Sequence, residues 1–177
     1  GRHSFHWLSG ANNTAKSYIK HADREISINQ KMGGYVTNLT TFDIPKTHID
    51  FFKKQINFYV DDKNRGFVHA GFSSKKGLGY NYKDDYNWDG ELWEYHSLRV
   101  SKGYNDAQCF AHKEVFIGHT PTLCIEKTIP ISRGNITNLD TGGGFREGRI
   151  SIMNIDTHEF WQSDLGSELY PNESPRG

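Results

Sequence analysis

Two short segments constrain this chain more than anything else in it. Gly66-Phe67-Val68-His69-Ala70-Gly71 and Val115-Phe116-Ile117-Gly118-His119-Thr120-Pro121 share one plan: an apolar run, small residues, a histidine and a turn. A short apolar run bounded by turn residues suits a strand buried on both faces. In α/β folds, ligand sites gather at the carboxyl ends of such strands. The glycine or alanine beside each histidine leaves room for the backbone to approach a cation and its substrate. A single histidine beside an apolar run is more often a hydrogen-bonded core residue than a ligand. Here the plan occurs twice, so His69 and His119 become candidate metal ligands that could converge at one sheet edge.

Around these strands the pattern is mixed. Ala11 to His21 can form a short helix after the Ser9-Gly10 break. Met32 to Leu39 is opened by glycine and polar, and reads as a loop. Pro45 suits a first helical position because it needs no backbone donor there. Ile49, Phe52, Ile56 and Tyr59 then recur at helical spacing, and Asp61 to Asn64 close the helix as a polar turn. Ser73 to Asp89 shows no sustained period and reads as a long surface loop. Asn138 to Phe145 is a glycine-rich connection, and the run Gly142-Gly143-Gly144 with Gly148 suits a tight turn needing positive φ. Arg149 to Asp156 alternates, and with Glu159 to Gln162 it predicts a final hairpin. Periodicity thus supports mixed α and β structure with strands concentrated after residue 66. The expected organisation is one domain over residues 1–165 and a tail over 166–177, a length that suits a single core.

Bulk chemistry narrows the partners. Lysine plus arginine number 21 and aspartate plus glutamate also 21, so no net field favours DNA, RNA or an anionic membrane. No apolar run approaches the roughly 20 residues needed to span a bilayer. Trp88, Trp93 and Trp161 read as core or loop anchors, because no basic stripe accompanies them as a base-stacking platform would need. Cys109 and Cys124 form no C-x-x-C pair, and read as reduced thiols of a cytoplasmic protein.

The ordered set of motifs carries more than any one of them. Phe67-Val68-His69-Ala70-Gly71, then Phe116-Ile117-Gly118-His119-Thr120-Pro121-Thr122, then Asn138-Leu139-Asp140-Thr141-Gly142 resemble the successive downstream motifs of the calcineurin-like metallophosphoesterases. The likeness is to the phosphoprotein-phosphatase branch, which includes bacterial serine/threonine phosphatases and symmetrical dinucleoside-tetraphosphatases. Trp7-Leu8, Thr14, Ser17-Tyr18 and Phe160-Trp161-Gln162-Ser163-Asp164 agree in order, so the resemblance runs over roughly residues 7 to 164. It implies an α/β fold in which mixed β-sheets form part of a four-layer α/β/β/α sandwich. It also implies two divalent ions (manganese, iron or zinc), with His69 and His119 binding the second. The substrate would be a phosphorylated protein or a dinucleoside polyphosphate.

This chain departs from the family in two ways. The upstream D-x-H, G-D-x-x-D and G-N-H-D/E motifs, which carry the first metal's ligands and the bridging aspartate, do not occur in it. Leu92-Trp93-Glu94-Tyr95 matches an L-W-x-R motif with tyrosine in the arginine position, leaving Arg99 as a substitute phosphate contact. In the two-metal mechanism a pair of ions about 3.5–4 Å apart activates the attacking water. Two histidines supply only half of one ion's shell. The expectation is therefore a phosphatase portion, inactive alone and completed by an upstream segment or by dimerisation, since its sheet edges would otherwise stay open. The alternative is a catalytically silent remnant or assembly module of the same fold.

Two other signals compete. Asp85-Tyr86-Asn87-Trp88-Asp89-Gly90 matches the opening of an EF-hand calcium loop, but the twelfth position is His96 instead of glutamate, so a polar turn is the plainer reading. Asp140-Thr141-Gly142 is also the aspartic-protease signature, which would require a homodimer sharing two aspartates. The histidine motifs have no role in that chemistry. Within the phosphoesterase reading, Asp140 shapes a turn near the site.

Overall fold

Residues 12–31, 34–104 and 111–172 are described by a computed structural model. The chain divides into two compact units, Gly1–Gln55 and Ile56–Gly177.

In the first unit, α1 (Asn12–Ile19) precedes β1 (Ile28–Lys31) and β2 (Gly34–Thr37). The two strands pair antiparallel, Ile28 opposite Thr37. The expected loop over Met32 to Leu39 is therefore corrected over its described part: Tyr35, Val36 and Thr37 are β-formers and lie in β2. Met32 and Gly33, like Ala11 and the Trp7-Leu8 pair, lie outside the described residues. A single 3₁₀ turn (Thr41–Asp43) leads to α2 (Lys46–Lys53), with Pro45 at its N-cap. Arg24 grips Asp43 through Nε to Oδ1 at 2.7 Å and Nη2 to Oδ2 at 2.6 Å, and Nη2 also donates to the Asn38 carbonyl at 2.7 Å. His48 lies exposed on α2, 3.0 Å from the Tyr18 hydroxyl.

The helical spacing beyond Lys53 misled. Helix α2 ends there, and Tyr59 belongs to β3 (Phe58–Val60), which pairs with the strand that follows. Alternation of Phe58, Tyr59 and Val60 across a sheet won over a spacing that could be read either way.

The second unit is built on a five-stranded sheet in the order β3, β4 (Arg65–Val68), β5 (Glu114–Ile117), β7 (Ile136–Asn138), β6 (Ile131–Arg133). β4, β5 and β7 run parallel as neighbours, and β3 and β6 close the edges antiparallel. Register places Gly66, Val115 and Ile136 in one row on one face. That face holds the core: Val68, Val115, Ile117 and Ile136 pack with Phe72, Leu78, Tyr86, Leu92 and Trp93. Leu78 packs directly on the backbone of Gly66, where a Cβ would stand 2.7 Å from its Cδ1.

The side chains covering this face come from α3 (Lys83–Trp88), α4 (Glu91–Ser101) and the turns before them. The expected surface loop over Ser73 to Asp89 is thus corrected. Leu78 and Tyr86 are buried, and the Tyr86 hydroxyl accepts from the backbone of Gly79 at 2.9 Å. One aromatic side chain with a buried hydroxyl pins a segment whose composition looked solvated. Asp85 and Asn87 lie within α3, and Asp85 Oδ2 accepts from Tyr82 N–H at 3.1 Å, so neither a calcium loop nor a simple turn forms.

On the opposite face Tyr59, Phe67 and Phe116 form a ladder, the last two stacked at 5.1 Å. The expected hairpin is present as β8 (Ser151–Met153) with β9 (Phe160–Gln162), Ile152 opposite Trp161. Its tip is tied to β4 by Arg65, which donates to the Ile155 carbonyl at 2.9 Å and meets Asp156 at 2.5 Å and Asp61 at 2.7 Å. His158 meets Glu114 at 2.8 Å. Of the three tryptophans expected as core or loop anchors, Trp93 is in the core, while Trp161 and Trp88 are half exposed. The expected tail opens with one helical turn, α5 (Gly166–Leu169), where Gly166 N–H donates to the Gly148 carbonyl at 3.0 Å. Cys124 is exposed and unpaired, and Cys109 lies outside the described residues. Among the described residues no helix is long and apolar enough to cross a membrane.

Candidate functional site

Three parallel strands end at one place. His69 follows β4, His119 follows β5 after Gly118, and Asp140 follows β7 after Leu139. Because β4 and β5 are adjacent and in parallel register, their two histidines are delivered to the same edge. The imidazole centroids lie 5.2 Å apart at an interplanar angle of 72°. Both rings and Asp140 line an open cleft of about 580 Å³, together with Asn87, Trp88, Pro121, Gly144 and Phe145. This volume falls in the range of small-molecule sites.

The backbone beneath the histidines is held tightly. Gly118 N–H donates to the His69 carbonyl at 2.8 Å, and Leu139 N–H to the Ile117 carbonyl at 2.9 Å. Thr120 N–H donates to the Gly118 carbonyl at 2.8 Å across His119, whose φ is +69°. An i to i+2 bond around a residue at that φ is a γ-turn of the rare, strained kind. Histidine tolerates the left-handed region better than most residues, yet the conformation still costs energy and must be over-determined by its surroundings.

Asn138 is the clasp. Fully buried, it donates from Nδ2 to the Thr120 carbonyl at 2.8 Å and accepts at Oδ1 from Asp140 N–H at 2.9 Å. One amide therefore holds the His119 turn against the Asp140 turn, using both its donor and its acceptor. Asp140 Oδ1 accepts from Gly142 N–H at 2.9 Å, and Gly142 has φ +77°, so Asp140 does shape the turn as the sequence suggested. Thr122 N–H donates to the Asp140 carbonyl at 2.8 Å, completing the support.

The electrostatics favour a neutral imidazole at His69. Partial burial, then the neighbouring His119, lower its pKa below the ordinary value, and the Asp140 charge offsets part of the effect. A neutral ring is the form that can offer a lone pair to a metal. In the metal-free protein, His69 is expected to titrate below about 6.5. His119→Ala should raise that pKa by removing a repelling charge, and Asp140→Asn should lower it further by removing an attracting one. Imidazole resonances followed by NMR against pH check both signs; a His69 pKa unmoved by either change would show that the three groups do not interact.

The donor set suits part of one divalent ion's shell. Two imidazoles and a nearby carboxylate are ligands that manganese, iron and zinc accept. Among the described residues, no group of three or more histidine, cysteine, aspartate or glutamate side chains is gathered closely enough to hold an ion by itself. Arg99 is not brought to the cleft. It lies in the last turn of α4, its guanidinium 4.9 Å from the Tyr104 ring centroid and 5.6 Å from that of Tyr95. Tyr95 thus holds the arginine one turn along, its hydroxyl accepting from Arg99 Nη1 at 3.4 Å. Trp88, Asn87 and Phe145 are wall residues that sequence reasoning did not select, because nothing in a local pattern reveals which aromatics border a site.

The chain matches no family model, no curated protein and no solved structure.

Proposed function

We propose that this chain carries the downstream part of a metal-dependent phosphoester hydrolase site, with His69 and His119 as ligands of one divalent ion. The observation that supports this most is the delivery of both imidazoles to one strand edge, 5.2 Å apart, beside Asp140. An ion held there would act as a Lewis acid toward a phosphoryl oxygen. The protein's own part is to favour the neutral form of the His69 ring, hold the His119 turn through Asn138, and present an open cleft to the ester. The five-stranded sheet would be one layer of the four-layer sandwich, with the β8–β9 hairpin in the second sheet. Phosphorylated protein or a dinucleoside polyphosphate is the substrate class that the family resemblance suggests, in a cytoplasmic setting.

The test is manganese-dependent turnover of a phosphate monoester by the product of the full reading frame, with the 177-residue chain assayed beside it. The full product should hydrolyse the ester, lose activity to a chelator and lose it on His69→Ala. The chain alone should turn over little, because two histidines without a bridging carboxylate complete no two-metal site. Full turnover by the isolated chain would refute the incompleteness. Chelator-resistant turnover that disappears on Asp140→Asn would refute the metal reading in favour of carboxylate chemistry. A full product without turnover or bound ion would leave the fold as an assembly module.

A further inference from the structure

The β8–β9 hairpin has one face bonded to the rest of its unit and one face left open. On the first, Ser151 and Gln162 stand opposite each other; Ser151 Oγ meets Thr141 Oγ1 at 2.6 Å, and Gln162 Nε2 donates to the Thr128 carbonyl. Side chains alternate along a strand, so their neighbours turn the other way. There Ile152 stands opposite Trp161 with Ile150 two residues along, and the three are 69%, 54% and 59% exposed. Three large apolar residues side by side exceed the scattered exposure that an ordinary surface carries. Two strands are also the weakest form of sheet, and a further strand strengthens it.

The backbone identifies the edge where a strand can join. Asn154 N–H donates to the Glu159 carbonyl at 2.8 Å, and Ser163 N–H to the Ile150 carbonyl at 3.0 Å. Hydrogen-bonded positions alternate in an antiparallel pair, so Trp161 bonds Ile152 while the N–H and C=O groups of Phe160 and Gln162 point away from β8. Among the described residues no strand lies on that side of β9. The outer edge of β8 instead begins against Thr141, whose carbonyl accepts from Arg149 N–H at 3.0 Å. Edge strands are usually guarded by charge, proline or a bulge. Phe160-Trp161-Gln162 has none of these.

The geometry points to a second copy of this chain as the partner, β9 pairing with β9, antiparallel about a twofold axis. Trp161 then faces Trp161 of the second copy at a non-hydrogen-bonded position, where Cα atoms approach to about 4.5 Å and side chains meet most closely. Phe160 of each copy pairs with Gln162 of the other, two bonds to each pair, so both outward-pointing residues of each strand are used. Glu159 comes opposite Ser163, and no like charges meet. Ile152, Trp161, Trp161 and Ile152 form one row across a four-stranded sheet. Such an isologous contact closes on itself and stops at a dimer. The pairing follows from strand geometry and holds whatever the cleft binds.

The test is the mass of the intact 177-residue chain in sedimentation velocity. It should move from 20.3 kDa toward twice that value as concentration rises. A three-residue strand makes a small interface, so the series runs to about 0.5 mM, enough to populate a pair of micromolar affinity. Trp161→Lys sets two like charges against each other and should weaken the pair at least about 100-fold. Trp161→Phe keeps a ring and should stay within about tenfold of wild type. Phe52→Lys, at an exposed aromatic of the other unit, should leave the dimer intact. Amide exchange followed by NMR needs no substitution. The Phe160 and Gln162 amides should exchange slowly in the dimer and fast on dilution, and the Trp161 amide slowly in both. A monomer throughout the series, a dimer that survives Trp161→Lys, or a dimer whose Phe160 and Gln162 amides exchange freely overturns the proposal. None of these readings depends on metal, so a failed edge and a failed cleft are told apart.

Discussion

His119→Ala should lower the chain's affinity for manganese or zinc by at least about 100-fold. Groups that merely orient a metal ligand are worth about 10- to 100-fold in affinity, so removing one of two imidazoles belongs at or above the top of that range. His69→Ala should match it, because adjacent parallel strands present the two rings as a pair. Equilibrium dialysis or calorimetry reads the effect directly. Variants that bind metal like wild type would end the case for this site.

The same position carries a second expectation, on stability. His119 sits at φ +69° within a γ-turn, where a residue with a Cβ is strained. His119→Gly and His119→Ala both delete the imidazole, but only glycine removes the Cβ that disfavours the conformation. The glycine variant should therefore be more stable than the alanine variant by about 1 kcal/mol. For a domain of this size that corresponds to about 2–4 °C in Tm. A strained residue bordering the cleft is the pattern expected when a side chain is kept for chemistry and not for folding.

Gly148→Ala should be the most destabilising conservative change in the second unit. A Cβ at this buried position would lie 1.7 Å from the Gly142 carbonyl oxygen and 2.3 Å from its carbon. No rotamer change relieves a collision between two stretches of backbone. Here they are bound together, Arg149 N–H donating to the Thr141 carbonyl at 3.0 Å and Thr141 Oγ1 to the Arg149 carbonyl at 2.7 Å. The loop must open, at a cost of about 3 kcal/mol or more. That corresponds to a fall in Tm of about 10 °C. Glu147→Ala, at an exposed neighbouring position, is the control and should change stability by less than about 0.5 kcal/mol. Thermal unfolding followed by circular dichroism decides it. A Gly148→Ala Tm within a degree or two of wild type would mean that this turn is looser than the structure shows. Phe145 borders the cleft from the same loop, so the glycine variant should also disturb the cleft wall.

Much of the site was legible in the sequence because burial leaves a local trace. The runs Phe67-Val68 and Val115-Phe116-Ile117 are apolar on both faces, as strands inside a sheet must be, and each is followed by a histidine with small neighbours. The hairpin from Ser151 to Gln162 announced itself by alternation, and the glycine run after Thr141 read as a tight turn, though only the structure shows that Gly142 is its residue at positive φ. Where local signals were ambiguous the reading slipped. Tyr35 to Thr37 looked like loop because glycine preceded them, and Tyr59 looked helical because Ile56 and Phe52 fell at the right spacing.

Adjacency was never in the local pattern. His69 and His119 stand fifty residues apart in a sequence that states only that each follows a buried strand. That β4 and β5 are neighbours, and that β7 brings Asp140 to the same edge, is a choice among sheet orders made by packing the whole unit. Tyr86 shows the same limit, since Ser73 to Asp89 is polar on average and a single aromatic buried with its hydroxyl satisfied converts it into a fixed wall. Trp88 reaches the cleft only because that wall is fixed. Composition and periodicity determine which residues must leave water; only the tertiary fold decides what they meet, because the contacts that set a site join segments whose separation along the chain carries no periodic signal.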